Sequence, residues 1–179
     1  KASLLSALVL TMALFAGCGN EKENQKVADI EVKTIATKEL QDKLSDDSWV
    51  VVDTRINDAF NGWKLDEVER GGHIKGAVDF SANWLTVDSK DKEKTLDKAL
   101  ETKGIEKDKN IVLYDANGKD AKEVANYLSE KGYKNLYTYN VADWAKDESL
   151  PMESYENYEM IVPATIVNDI LDGNKPETF

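Results

Sequence analysis

Few residues in this chain are equipped for chemistry. It holds one histidine, His73, and one cysteine, Cys18. A zinc site built from a His pair or four Cys is therefore excluded within the chain, as is an intramolecular disulfide. Carboxylates are abundant: 34 Asp and Glu oppose 23 Lys and Arg, for a net charge of −11. Such a surface repels nucleic-acid backbones and anionic membranes, which excludes non-specific DNA or RNA binding as a function class. The stretch that concentrates charge around a glycine is Tyr114-Asp115-Ala116-Asn117-Gly118-Lys119-Asp120-Ala121. Gly118 admits a positive φ, and successive amides around it can form a nest for an anion. The stretch is too short for a phosphate-binding P-loop and lacks the GxGxxG pattern.

The elements that must position this loop follow from hydrophobic periodicity. Trp49-Val50-Val51-Val52-Asp53 and Asn110-Ile111-Val112-Leu113-Tyr114 are short continuous apolar runs. They suit strands buried on both faces, as in a parallel sheet. Ala77 to Phe80 and Leu136 to Tyr139 are weaker strand candidates. Helices are expected from Thr37, as cap, to Leu44 and from Thr95 to Lys103, the latter stopped by Gly104. The clearest helix follows the loop. Ala121, Val124, Ala125 and Leu128 fall at i, i+3, i+4 and i+7, Gly132 ends it, and Asp120 with Glu123 forms a capping-box pattern. Strand alternating with helix predicts an α/β domain, and the loop joins its best strand to its best helix, where ligands bind in such sheets. With 41% hydrophobic and 32% charged residues, the composition is that of a folded globular core.

The front of the chain differs. After Lys1, residues 2–20 carry no charge, and Leu4 to Phe15 is almost wholly apolar. The run is shorter than the ~20 residues of a membrane span. Basic start, short apolar stretch and small residues at its end describe a secretory signal. Phe15-Ala16-Gly17-Cys18 resembles the lipobox of bacterial lipoproteins, with Phe where Leu is commoner. That resemblance implies lipid attachment at Cys18, a polar tether over residues 19–28, and an exported, membrane-anchored protein on the extracytoplasmic face.

Several motifs in the body occur together. Val51-Val52-Asp53-Thr54-Arg55 ends a strand in Asp-x-Arg, and Gly72-His73-Ile74-Lys75-Gly76-Ala77 reads Gly-His-Ile-x-Gly-Ala. Val141-Ala142-Asp143-Trp144 and Leu150-Pro151 follow in order. These resemble the rhodanese-like domain, over about Ile30 to Met152. The resemblance implies an α/β fold with a central, mainly parallel sheet covered by helices on both faces. It assigns residues 29–158 to that domain and 159–179 to a linker and the start of a second one. Here Pro163 to Gly173 forms a capped amphipathic helix. In active members a Cys-x-x-Gly-x-Arg loop carries a thiolate that takes sulfur from thiosulfate or mercaptopyruvate as a persulfide.

This chain departs at the loop: Asp115 stands at the nucleophile position and Asp120 where many members have Arg. Tyr139 and Asn140 replace the two glycines before Val141. A carboxylate is hard and cannot hold a persulfide, and Asp for Arg inverts the attraction for an anionic donor. The resemblance therefore implies the non-catalytic half of a tandem sulfurtransferase, partnered by a second rhodanese domain and small sulfur anions, without metal or organic cofactor. A free-standing binding or regulatory lipoprotein is the alternative. Asp115 is expected to occupy the amide nest itself; a ligand or hydrolytic site formed with Lys119 and Asp120 is the competing reading. His73 is expected to shape its loop by a hydrogen bond, Asp53 and Arg55 to pair, and Trp63, Trp84 and Trp144 to pack in the core. The run Asp88 to Lys94 is expected to be a solvated loop.

Overall fold

The computed structural model describes residues 31–173. The two continuous apolar runs become the central strands. They are β2 (Trp49–Asp53) and β5 (Asn110–Asp115), paired in parallel with Val52 beside Leu113. β6 (Leu136–Asn140) flanks β5, β1 (Lys33–Thr34) lies outside it, and β4 (Val78–Asp79) closes the far edge beside β2. The resulting five-stranded sheet, ordered β1-β6-β5-β2-β4, is parallel throughout. A parallel sheet buries both faces, so its strands need apolar residues at successive positions rather than alternate ones.

In β5, Ile111 and Leu113 join one core and Val112 and Tyr114 the other. The first core is completed by α3 (Lys92–Thr102) and α4 (Asp120–Glu130), through Leu96, Leu100, Val124 and Leu128. The second is completed by α1 (Thr37–Lys43) and α5 (Val141–Ala145), through Leu40 and Trp144. Helices on both faces of a mainly parallel sheet match the expected fold class.

Several expectations are corrected. Thr37 is the first helical residue of α1 and not its cap; its hydroxyl bonds the Tyr139 hydroxyl at 2.9 Å. Helix α3 begins at Lys92, so the second half of the charged run from Asp88 is helical, though solvated as expected. No capping box forms at Asp120, which lies inside α4 and makes no side-chain cap bond. The short α2 (Asn57–Asn61), α5 and the two-stranded antiparallel pair of β3 (His73–Ile74) with β7 (Met152–Glu153) are additions. Trp63 and Trp144 are buried as expected, whereas Trp84 is half-buried against Phe80.

After β7 the chain lies across α2. The Tyr155 amide donates to the Asn61 carbonyl at 2.7 Å, and the Trp63 indole donates to the Ile161 carbonyl at 3.0 Å. The tail then forms α6 (Ala164–Leu171), where Ile166 is the buried residue and Ile170 and Leu171 stay exposed. Among the described residues no helix is long and apolar enough to cross a membrane. Cys18 and the apolar stretch before it lie outside the described residues.

Candidate functional site: the loop between β5 and α4

Asp115 is the last residue of β5 and is 1% exposed. Its Oδ1 accepts the Gly118 amide at 2.8 Å and its Oδ2 the Ala121 amide at 2.9 Å. Gly118 sits at φ +73°, the left-handed region that turns its N–H back toward the carboxylate. Ala121 lies in the first turn of α4, whose N–H groups have no partner within the helix. Asp115 thus satisfies a helix-end donor from six residues upstream. The first-turn acids Asp120 and Glu123 make no such bond.

The rest of the loop is solvent-facing. Asn117 Oδ1 accepts the Lys119 amide at 2.9 Å, closing a local turn, while Ala116 packs against the Tyr114 side of the sheet. Burial, followed by the neighbouring Asp115 and Asp66 carboxylates, raises the Asp120 carboxyl above its ordinary value. Asp115, Asp66 and Glu123 all raise it, and Lys119 opposes them. The loop is therefore a locked, negatively charged cradle rather than an open receptor for an anion. Among the described residues, no group of three His, Cys, Asp or Glu could hold a metal ion.

Beside this loop, at the end of β2, Asp53 and Arg55 form a buried pair. Arg55 Nε and Nη2 donate to the two Asp53 oxygens at 3.0 and 2.6 Å, and Nη2 also donates to the Gly72 carbonyl at 2.7 Å. The pair is bidentate, with both side chains at most 1% exposed. Burial pushes the Arg55 guanidinium down, but the Asp53 carboxylate outweighs it and holds the group above its ordinary range. The guanidinium carbon lies 5.6 Å from the Tyr114 ring centre. Burial, and then Asp53, push the Tyr114 phenol well above its ordinary value, and its oxygen accepts the Ile74 amide at 3.1 Å.

His73 is 6% exposed and its Nδ1 lies 2.7 Å from the Phe60 carbonyl. A carbonyl only accepts, so Nδ1 carries the proton. The imidazole stacks on Phe60 at 3.8 Å between ring centres. This is the loop-shaping hydrogen bond expected of it. Gly72, at φ +87°, has no room for a side chain, because a Cβ would stand 2.2 Å from the Glu153 carbonyl oxygen. Gly76 also has positive φ, at +78°, and its amide donates to Glu153 Oε2 at 3.4 Å. Trp144 is fully buried and donates its indole N–H to the Pro151 carbonyl.

Sequence reasoning missed two positions. Thr54 is fully buried and its hydroxyl donates to the Tyr114 carbonyl at 2.9 Å, tying β2 to the start of the loop. Arg70 donates to the backbone carbonyls of Trp144, Ala145, Asp147 and Leu150 at 2.8 to 2.9 Å. One guanidinium thereby ends α5 and holds the chain that follows. A lone Arg in a polar loop carries no periodic signal, so nothing in the sequence marked it.

The model of the rhodanese-like domain matches residues 36–145. Among solved structures, the anaerobic ergothioneine biosynthesis enzyme from Chlorobium limicola with its substrate trimethyl histidine is 32% identical, with a TM-score of 0.73. That match covers 83% of this chain and 34% of the enzyme. A variant of EanB in complex with ergothioneine gives 32% identity, TM-score 0.74 and the same coverage. So does an EanB structure in which ergothioneine is covalently linked with a persulfide cysteine. The chain thus spans about a third of the length of these structures. With its parallel sheet, Asp-x-Arg pair and Gly-His-Ile loop, and with the family model matched over most of its body, the chain belongs to the rhodanese-like domain family.

Proposed function

We propose that this chain is the non-catalytic rhodanese-like part of a membrane-anchored sulfurtransferase, with thiosulfate or 3-mercaptopyruvate as donor and a thiol or cyanide as acceptor. The observation that carries this reading is the Asp115 carboxylate held by the Gly118 and Ala121 amides. In an active member those donors face a thiolate and its persulfide. Here they are taken by an anion that cannot accept sulfur. Burial, followed by the Asp115 and Asp66 carboxylates, raises the Asp120 carboxyl, and these neighbouring carboxylates weigh against a doubly charged donor such as thiosulfate settling at this loop.

Two facts favour a partner domain. The matched structures are about three times as long as the part that this chain covers. Met160, Ile161 and Leu171, in and before α6, are 72 to 83% exposed and offer apolar surface for a neighbour. On this reading the described domain shapes a donor cleft shared with a second rhodanese domain that carries the thiol. Cys18 would anchor the whole to the extracytoplasmic face of a bacterial membrane, and radiolabelled palmitate incorporation lost in Cys18→Ala tests that step.

The decisive experiment is a thiosulfate:cyanide sulfurtransferase assay on residues 19–179 beside Asp115→Cys. The native chain should be inert and the variant should gain turnover, since the amide nest remains. Sulfur transfer by the native chain, whose loop has no thiol, would overturn the assignment.

A further inference from the structure

On the flank of the loop away from the Asp53–Arg55 pair, a cleft of about 480 Å³ opens between α4 and the β6–β1 edge of the sheet. That volume falls in the ~300–1,000 Å³ range of small-molecule sites. Its wall includes Asn140, which together with Tyr139 stands where the family carries two glycines, so part of the lining is this chain's own. We infer that this cleft binds a small monocarboxylate bearing an amide, of the size of an acylated amino acid or dipeptide. The inference is independent of sulfur transfer.

The chemistry of the lining sets the ligand class. Lys122 is the only cation among the lining residues, and it makes no ion pair with any described residue. Asn140 Oδ1 is occupied by the Ala142 amide and Asn117 Oδ1 by the Lys119 amide. Both therefore have their NH₂ groups left to offer. Thr138 Oγ1 donates to the Lys33 carbonyl, which leaves its lone pairs, and Thr34 and Asn126 hold no side-chain bond to a described residue. The unused capacity is thus rich in donors around a single positive charge. One carboxylate satisfies Lys122, and a neighbouring amide carbonyl satisfies an Asn NH₂.

A doubly charged oxyanion fits poorly. Asp115 also lines the cleft, and it brings a negative charge with both oxygens already engaged. One exposed ammonium does not offset that for a dianion.

The test titrates the full chain with alanyl-alanine, with its C-terminal amide and with thiosulfate, followed by ¹H–¹⁵N correlation spectra. Alanyl-alanine should give saturable shifts of the Asn117 and Asn140 side-chain amides and of Gly118. The C-terminal amide should bind roughly tenfold more weakly, as should the dipeptide to Lys122→Ala or Asn140→Gly. No shifts at concentrations on the order of 10 mM would overturn the site. Equal binding of the amide, which lacks the carboxylate, would overturn the carboxylate. Thiosulfate binding as tightly as the dipeptide would overturn the ligand class and make the cleft a simple anion site. Sulfur transfer by Asp115→Cys is scored separately, so either reading can fail alone.

Discussion

The carboxylate of Asp115 acts as a structural cap, accepting the Gly118 and Ala121 amides at the start of α4. Asp115→Ala removes the acceptor for two N–H groups and leaves the Ala121 amide buried at a helix end. We expect a loss of about 1–3 kcal/mol, read by urea unfolding, with Asp115→Asn losing less because its carbonyl keeps one bond. An unchanged midpoint in Asp115→Ala would remove the capping role. The Asp53–Arg55 pair is more costly to break. Arg55→Ala leaves a fully buried carboxylate without its cation, and about 3–5 kcal/mol should be lost. Arg55→Lys should recover little, because an ammonium cannot reproduce the bidentate fork and the Gly72 bond together. Both positions were legible from sequence, because each ends an apolar strand within a recognisable motif. Arg70 and Thr54 were not, because their partners are backbone carbonyls of distant residues, and backbone has no sequence signature.

Among the elements, the long or strongly apolar ones were legible and most short ones were not, although the two-residue β4 falls within the Ala77 to Phe80 candidate. Helix α4 shows the expected buried stripe of Ala121, Val124, Ala125 and Leu128, and β2 and β5 fall on their apolar runs. Helices α2 and α5 span five residues each, too few for a 3.6-residue period to register, and β3 and β7 have two residues each. Such elements exist because tertiary contacts hold them. Helix α5 is the clearest case: Asn140 caps its start by accepting the Ala142 amide, and Arg70 gathers the carbonyls at its end. A five-residue helix has little stability of its own. Arg70→Ala should therefore release α5 and the segment to Leu150 locally while the sheet persists. Native-state hydrogen exchange should show faster exchange in residues 142–150, with β5 amides unchanged. Equal loss of protection in both would show that α5 unfolds only with the whole domain.

At the scale of the molecule, two apolar layers sandwich one sheet, and the polar groups that enter them come in partnered sets, with Arg55 Nη1 the one buried side-chain polar atom among the described residues that has no hydrogen-bond partner. Tyr114 joins these sets. Its ring lies in the second core, its carbonyl receives the Thr54 hydroxyl, its hydroxyl oxygen accepts the Ile74 amide, and Arg55 lies against its face. Burial, and secondarily Asp53, hold its phenol well above the ordinary value. A phenol raised in the folded state disfavours its own ionised form there. The stability tied to keeping it neutral is complete below the ordinary phenol range and is lost as pH climbs through that range toward the raised folded value. Six further tyrosines share the chain, and of these Tyr127, Tyr133 and Tyr139 are also raised, each first by burial. Only Tyr114 is raised so far. In an alkaline titration followed by phenolate absorbance, the last tyrosine should therefore ionise together with loss of the far-ultraviolet dichroism of the fold. Tyr114→Phe should remove that final step and keep the domain folded to higher pH, although it loses the bond to the Ile74 amide and is less stable at neutral pH. If the last absorbance step instead persists in Tyr114→Phe, or precedes unfolding in the native chain, then Tyr114 is not the group that sets the alkaline limit of the fold.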